Sequence, residues 1–375
     1  MTILFRVLVI GLVLGFTSHA VAQVKFNGFA SVKAGMTLGS DDELYKYTDQ
    51  FSFKNESLIG LQFTADLQEK LSVTGQLLGR GGESYDAGFE WAYISYRVND
   101  QIKLNAGRLK TPFYKYTDFV DVGYAYDWMR VPQAVYNLNF TSLDGVSLYY
   151  TSEFLGFDSS VLLNVGTNDG NPEINGNIVQ GKLRDGYAMT WELSRDFIAL
   201  RLAHLGGELT MSDPQLNGFA DILTQSGFGD LADSLLLDED RAKFYGVALT
   251  LDKNDWIFVS EVTQTKLADT LIADRRAYYV SLGHRFGEVT PFVSFEHINN
   301  SAKSEIYQDI PPQVPFYAPL VGAVESFKVK TEVWNLGMRY DFHPSAAFKV
   351  QLTQSEDKLT NEKDQLLTVG IDLVF

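Results

Sequence analysis

The chain has 375 residues, 31 basic and 47 acidic side chains, a formal charge of −16, a pI near 4.7 and no cysteine. Such a balance speaks against a nucleic-acid partner, which needs clustered positive charge, and the lack of Cys removes disulfide frameworks and thiolate metal sites. A mean hydropathy of −0.08 with 13% aromatic residues suits a membrane barrel, whose wall alternates lipid-facing and wet side chains.

Residues 1–22 read as an export signal. Arg6 supplies the positive start, Val7 to Phe16 is apolar, and Ala20-Val21-Ala22 has the small-x-small form that precedes cleavage. The apolar run is shorter than the ~20 residues of a membrane-spanning helix. Cleavage after Ala22 is expected, leaving Gln23 to Phe375 as the mature domain.

From Gln23 the pattern changes to a period of two. Val24, Phe26, Gly28, Ala30, Val32, Ala34, Met36 and Leu38 form one uncharged face, and Gln23, Lys25, Asn27, Ser31 and Lys33 fall on the other. Phe51 to Leu67 repeats the alternation, so a second strand is expected there. Paired segments then follow, joined alternately by short and long connections. Short turns are expected at Gln68–Lys70, Asn99–Asp100, Glu153–Phe157, Arg195–Asp196, Asp252–Asp255, Phe286–Glu288 and Asp341–Ser345. Long connections are expected at Gly39–Gln50, Gly81–Asp86, Thr111–Phe140, Asn168–Arg184, Gly206–Asp240, Lys266–Arg275, Asn299–Ser326 and Ser355–Asp364. Eight long connections between pairs give sixteen strands. The expected fold is therefore all-β, a transmembrane antiparallel barrel, since hydrocarbon offers no partner to an open sheet edge. Sixteen strands leave room for water inside. Aromatic residues near strand ends, namely Phe51, Trp191, Phe197, Trp256, Phe286, Trp334, Tyr340 and Phe342, are expected in interfacial girdles.

Two segments depart from this pattern. Ser212-Asp213-Pro214 reads as a helix start, with Leu216, Phe219, Ile222 and Leu223 on one face, and Asp230–Leu237 as a second short helix. Asn299–Ser326, with Pro311, Pro312, Pro315 and Pro319, reads as a stiff extracellular loop.

Charge supplies the candidate site. Asp118, Asp121 and Asp127 make the third long connection acidic. Lys25, Lys33, Lys54, Arg80, Arg97 and Lys103 are expected to face the lumen, with Arg108 and Lys110 where strand meets loop. Acid on a loop opposite bases on a wall would set a transverse field across a narrow water path, and side-chain charge of this kind tunes ion preference.

Several motifs carry less. Gly227-Phe228-Gly229-Asp230-Leu231-Ala232 matches a loose dinucleotide fingerprint but follows a polar loop instead of a strand. His204, His284, His297 and His343 have no metal-ligand spacing. Asp41-Asp42-Glu43 and Asp238-Glu239-Asp240 read as solvated loop charge, with divalent ions bridging lipopolysaccharide as the other reading. No cofactor, metal or catalytic group is expected, and no GxSxG or partnered His supports a barrel enzyme.

The run FNGFASVKAG (26–35) and the terminal LLTVGIDLVF (366–375) resemble Gram-negative trimeric porins. So does GRLKTPFYKYTDFVDVGYAYDWMRVPQAVYNLNF (107–140), which falls where sixteen-stranded porins carry an inward-folded third loop. The resemblance implies a homotrimeric outer-membrane channel passing small hydrophilic solutes and ions. It also implies lipid and lipopolysaccharide around it, and an assembly signal at Phe375, Leu373 and Ile371 read by the barrel-insertion machinery. GRLKTPF is similar to a segment of phosphate-selective porins as well, which keeps a substrate-selective anion channel as the alternative.

Overall fold

The computed structural model describes residues 23–137, 141–170, 173–174 and 177–375; the expected export signal, 1–22, lies outside them. Sixteen antiparallel strands close into one barrel. They are β1 Gln23–Thr37, β2 Leu58–Gln68, β3 Leu71–Arg80, β4 Gly88–Arg97, β5 Ile102–Lys110, β6 Ser142–Phe154, β7 Phe157–Gly170 and β8 Gln180–Arg195. The second half comprises β9 Ile198–Ser212, β10 Leu237–Lys253, β11 Trp256–Leu267, β12 Asp274–His284, β13 Val289–Ser301, β14 Val329–His343, β15 Ala346–Asp357 and β16 Lys363–Val374. The long connections, taken in order as L1 to L8, share one rim, and the seven short turns share the other.

Closure joins the chain ends. β1 pairs with β16 from Phe29 opposite Val374 to Thr37 opposite Leu366. Phe375 and Gly28 exchange both backbone hydrogen bonds, at 2.6 and 2.9 Å. A Cβ on Gly28 would stand 2.2 Å from the Phe375 ring, so the terminal aromatic covers the space this glycine leaves open. Phe375, Leu373 and Ile371 share the outward parity of β16.

Outward residues are exposed and apolar, as lipid requires: Val24, Phe26 and Val32 on β1, Leu163 and Val165 on β7, and Val293 on β13. Phe197, Trp256, Phe286, Tyr340 and Phe342 are exposed at the short-turn rim, where amphipathic rings sit at an interface.

Three expectations need correction. β2 begins at Leu58, so Phe51 and Lys54 lie in L1. The cause is local pairing: above Ser31, β1 bonds to the returning loop through Gly35 with Ser52 and Thr37 with Thr48. Strands β7 to β13 also run past the expected boundaries, because above the hydrocarbon their outward face turns polar and periodicity in hydropathy fades. The seventh connection is not loop throughout; it holds a helix at Tyr317–Glu325, with Pro319 in the first turn where a missing N–H costs nothing.

L5 does form the two expected helices, α1 Pro214–Gln225 and α2 Gly229–Asp233. Asp213 caps α1 by accepting from the Gln215 and Leu216 amides. With α3, Tyr317–Glu325 of L7, they bury Leu223, Leu235, Leu271, Leu320 and Val324 in a small core outside the sheet.

Candidate functional site: a loop-lined constriction

L3, described over residues 111–137, turns into the barrel and lies on the inner wall of β9–β16. The wall there is polar by strand parity and holds the loop by its backbone. Lys349 on β15 donates to the carbonyls of Gly123, Tyr126 and Trp128 at 2.6, 2.6 and 3.0 Å. Arg339 on β14 donates to the Tyr124 and Tyr126 carbonyls at 2.7 and 3.1 Å. Acids bind the amides: Glu261 accepts from Lys115 N–H and Glu296 from Ala134 N–H, each at 3.0 Å. Charged partners on neutral backbone make the stronger class of hydrogen bond, and nearly all are out of solvent.

Aromatic packing supplements them. Tyr114, Tyr116, Tyr126, Trp128 and Tyr136 pack on one another and on Tyr279 of β12, and the Trp128 indole donates to Ser281 at 3.0 Å. From L1, Glu56 accepts from Arg130 through both oxygens, at 2.5 and 2.8 Å. Burial pushes the Glu56 carboxyl up, but the Arg130 guanidinium outweighs it and holds it below the usual range.

The seam of the barrel takes part. Asp372 on β16 lies 2.8 Å from Lys349 and 3.7 Å from Lys33 of β1, and Ser31 donates to it at 2.5 Å. Lys33 in turn donates to the Met129 carbonyl. First strand, last two strands and L3 therefore share one buried cluster.

The predicted site residues separate into groups. Asp121 pairs with Arg80 at 3.0 Å and with Lys110 at 3.5 Å, and both bases also hold Glu90. Arg80 also lies 3.9 Å from exposed Glu83, so three acids surround the two bases. Asp127 lies 3.8 Å from Arg339 and is largely covered. Arg108 does not join them; it shares the parity of exposed Leu104 and pairs with Asp144 on β6 at 3.0 Å. Lys25, Arg97 and Lys103 take lumenal parity near the short-turn rim, with Lys25 paired to Asp66 at 3.1 Å. Lys33 is buried under L3 instead of facing water, and Lys54 is exposed in L1.

Asp118 is left. It lies in a 3-10 turn, Thr117–Phe119, whose Asp118 and Phe119 are the exposed residues of the loop tip. Among the described residues it makes no ion pair. It feels the charges of Arg201, Lys110, Glu192 and Lys103 across the gap. Though wetted, it is ringed by protein, and this confinement raises its carboxyl above the ordinary aspartate range.

The wall opposite is thinned by glycine. Gly107, Gly145, Gly166 and Gly186 stand side by side on β5–β8, all on lumenal parity, and Gly207 of β9 meets Gly186. A Cβ on Gly145 would fall 2.0 Å from the Val165 carbonyl. The backbones bend closer here than any side chain permits.

Sequence reading missed Glu90, Lys115, Glu192, Arg201, Glu261, Glu296, Lys349 and Asp372. Parity was the available signal for the last four, since each is a charge on the wet side of a later strand.

A family model described as Gram-negative porin matches residues 8–372. No curated protein matches the sequence. Among solved structures, OmpF of Salmonella typhi in complex with daunomycin is similar at 14% identity and TM-score 0.58, over 94% of this chain and 98% of that one. An anion-selective porin from Comamonas acidovorans matches at 13% and 0.58, over 94% and 100%. The trimer form of in-vitro-folded OmpT from Vibrio cholerae matches at 11% and 0.56, over 94% and 99%. At these identities the structures establish the shared fold.

Proposed function

The chain belongs to the Gram-negative porin family and forms an outer-membrane diffusion channel, and we propose that it passes small hydrophilic solutes with weak ion preference. One observation carries this reading: L3 is fastened along β9–β16 and keeps Asp118 exposed at its tip, facing the Lys103 and Arg201 side of the wall. With Asp121 and Asp127 each within ion-pair distance of a base, Asp118 is the loop's one acid without such a partner among the described residues. A short transverse field of this kind aligns polar solutes without binding them, and it gives no ladder of bases along which an anion would step. The phosphate-selective alternative loses its support at GRLKTPF, where Arg108 turns outward to Asp144 and Lys110 is held by Glu90 and Asp121.

Export by cleavage after Ala22, assembly through the Phe375 strand and a homotrimeric state complete the proposal; the trimer form of the Vibrio relative supports the last. Liposome swelling tests the transport reading. Uncharged sugars of rising size should enter at rates that fall smoothly with size and do not saturate. A lumen that admits none of them, or a current that saturates and is blocked by phosphate, would replace it.

A further inference from the structure

The wet side of a water-filled barrel is polar, because it faces solvent. This wall departs from that rule in one part of its upper lumen. Leu143 on β6, Leu183 on β8, Leu205 and Leu209 on β9 and Phe244 on β10 all take lumenal parity. With Phe113 of L3 they line a slot of about 160 Å³. The glycines of this wall let the leucines lie close to the backbone. A Cβ on Gly207 would stand 2.9 Å from the Leu183 side chain, and one on Gly186 3.2 Å from Leu143. Phe113 meets Phe244 edge to face at 5.1 Å, giving the slot an aromatic border on the L3 side.

Its polar features are few. Tyr187 and Lys243 also border the slot, but both take outward parity, so no charged side chain among the described residues points into it. Thr111 of L3 lines it as well. That residue is 2% exposed, and its hydroxyl has no hydrogen-bond partner among the described residues. A buried hydroxyl left unpaired costs free energy that a ligand atom can recover. An apolar cavity with a single polar group of this kind is the usual form of a small-molecule site. Met211 borders both the slot and a cavity of about 350 Å³ against Leu216 of α1 and Leu271 of L6. Apolar lining therefore continues from the extracellular cap down to L3.

We propose that the slot receives one hydroxylated aromatic ring, carried by an otherwise hydrophilic solute whose polar part stays in the water path. The inference rests on the diffusion-channel reading and names a class of solute within it. Size selects the ring, since an apolar cavity of about 150 Å³ takes one benzene. Phe113 and Phe244 offer it ring contacts. The lack of an inward charge selects a neutral group, and the Thr111 hydroxyl pairs with the hydroxyl of a phenol. Location excludes other occupants: inside the lumen, neither lipid nor a folded partner reaches this wall.

The test records single channels of the folded full-length protein in planar bilayers. Three probes are compared: 4-hydroxyphenyl β-glucoside, phenyl β-glucoside and methyl β-glucoside. The hydroxyphenyl probe should interrupt the current with a dependence on concentration that saturates, the phenyl probe more weakly, and the methyl probe not at all. Ala242→Leu, which fills the slot from β10, should weaken both aryl probes at least about tenfold. Thr111→Val should weaken the hydroxyphenyl probe about three- to tenfold, the worth of one neutral hydrogen bond, and leave the phenyl probe unchanged. Because that hydroxyl has no partner to lose, Thr111→Val should also keep or raise thermal stability. Equal interruption by all three glucosides, or interruption unchanged in both variants, would overturn the proposal. A fall in stability on Thr111→Val would do the same, by showing that the hydroxyl is already paired. Influx of methyl β-glucoside into liposomes separates the two readings. Free entry of it alongside aryl probes that leave the current undisturbed overturns this inference alone, whereas its exclusion removes the diffusion reading and this inference with it.

Discussion

Asp118 illustrates how one side chain can set a channel property that composition hides. The loop carries three aspartates, but Asp121 and Asp127 face bases within 4 Å whereas Asp118 faces water. Asp118→Asn should therefore move the reversal potential in a salt gradient toward anions, while the single-channel conductance changes little; an unmoved potential would take Asp118 out of the constriction. Acidity gives a second handle. Because the Asp118 carboxyl is raised by confinement, its charge disappears on acidification at a higher pH than that of a solvated aspartate. Wild-type selectivity should drift toward anions as pH falls through that raised value, and Asp118→Asn should lack the drift. At the other end of the chain, Phe375→Ala would uncover Gly28 and remove the outer partner of β1. Folded yield in the outer membrane should drop severalfold, checked by the heat-modifiable band on gels; a normal yield would show that the last residue is dispensable for closure.

At the scale of the element, L3 is held as a bundle of backbone contacts to charged wall residues more than by its own side-chain pattern. Lys349 is the centre of that hold. Lys349→Met would strip the Gly123 and Trp128 carbonyls of their donor, leave the Tyr126 carbonyl to Arg339, and leave Asp372 with Lys33 and Ser31. Removing one partner of a buried pair typically costs about 3–5 kcal/mol. The barrel has many other ladder bonds, so the expected result is a folded channel with a noisier, larger open current, read in planar bilayers. A quiet wild-type current would place the hold elsewhere, on Glu261 and Glu296. The glycine row on β5–β8 makes the opposite wall equally particular. Gly145→Val would drive a side chain into the Val165 carbonyl and should reduce thermal stability by about 1–3 kcal/mol or block insertion.

These elements also explain what the sequence did and did not disclose. Alternation identified the strands wherever lipid lies outside and water inside, and every short turn was legible because two adjacent strands must reverse there. Parity failed at β4, where a β-bulge at Glu90 shifts the register between Gln76 and Leu77 and brings Glu90 onto Arg80. It failed again above the membrane, where β9 and β10 continue with polar Glu208, Arg241 and Lys243 outward and apolar Leu205, Leu209 and Phe244 inward. Asp213-Pro214 announced α1 through local capping chemistry, whereas α3 in L7 was hidden behind four prolines. The constriction was only half legible. Its acids stood in one contiguous stretch, but their partners, Arg339, Lys349, Arg80 and Arg201, come from strands far apart in the chain, and no single-sequence pattern brings those together.

On the scale of the whole molecule, closure and constriction are one event. β1 and β16 meet through Phe29 to Thr37, and the same seam supplies Lys33 and Asp372 to the cluster beneath L3. The extracellular side adds a cap of α1, α2 and α3, built from L5 and L7, over the β8–β14 half of the rim. The proposed water path runs between L3 and the glycine-lined β5–β8 wall. Single-channel recording across a salt gradient tests it most directly. The expected result is a linear, non-saturating current with a reversal potential near zero, moved toward anions by Asp118→Asn. A silent bilayer, or a saturating current with strong anion preference that Asp118→Asn leaves unchanged, would contradict it.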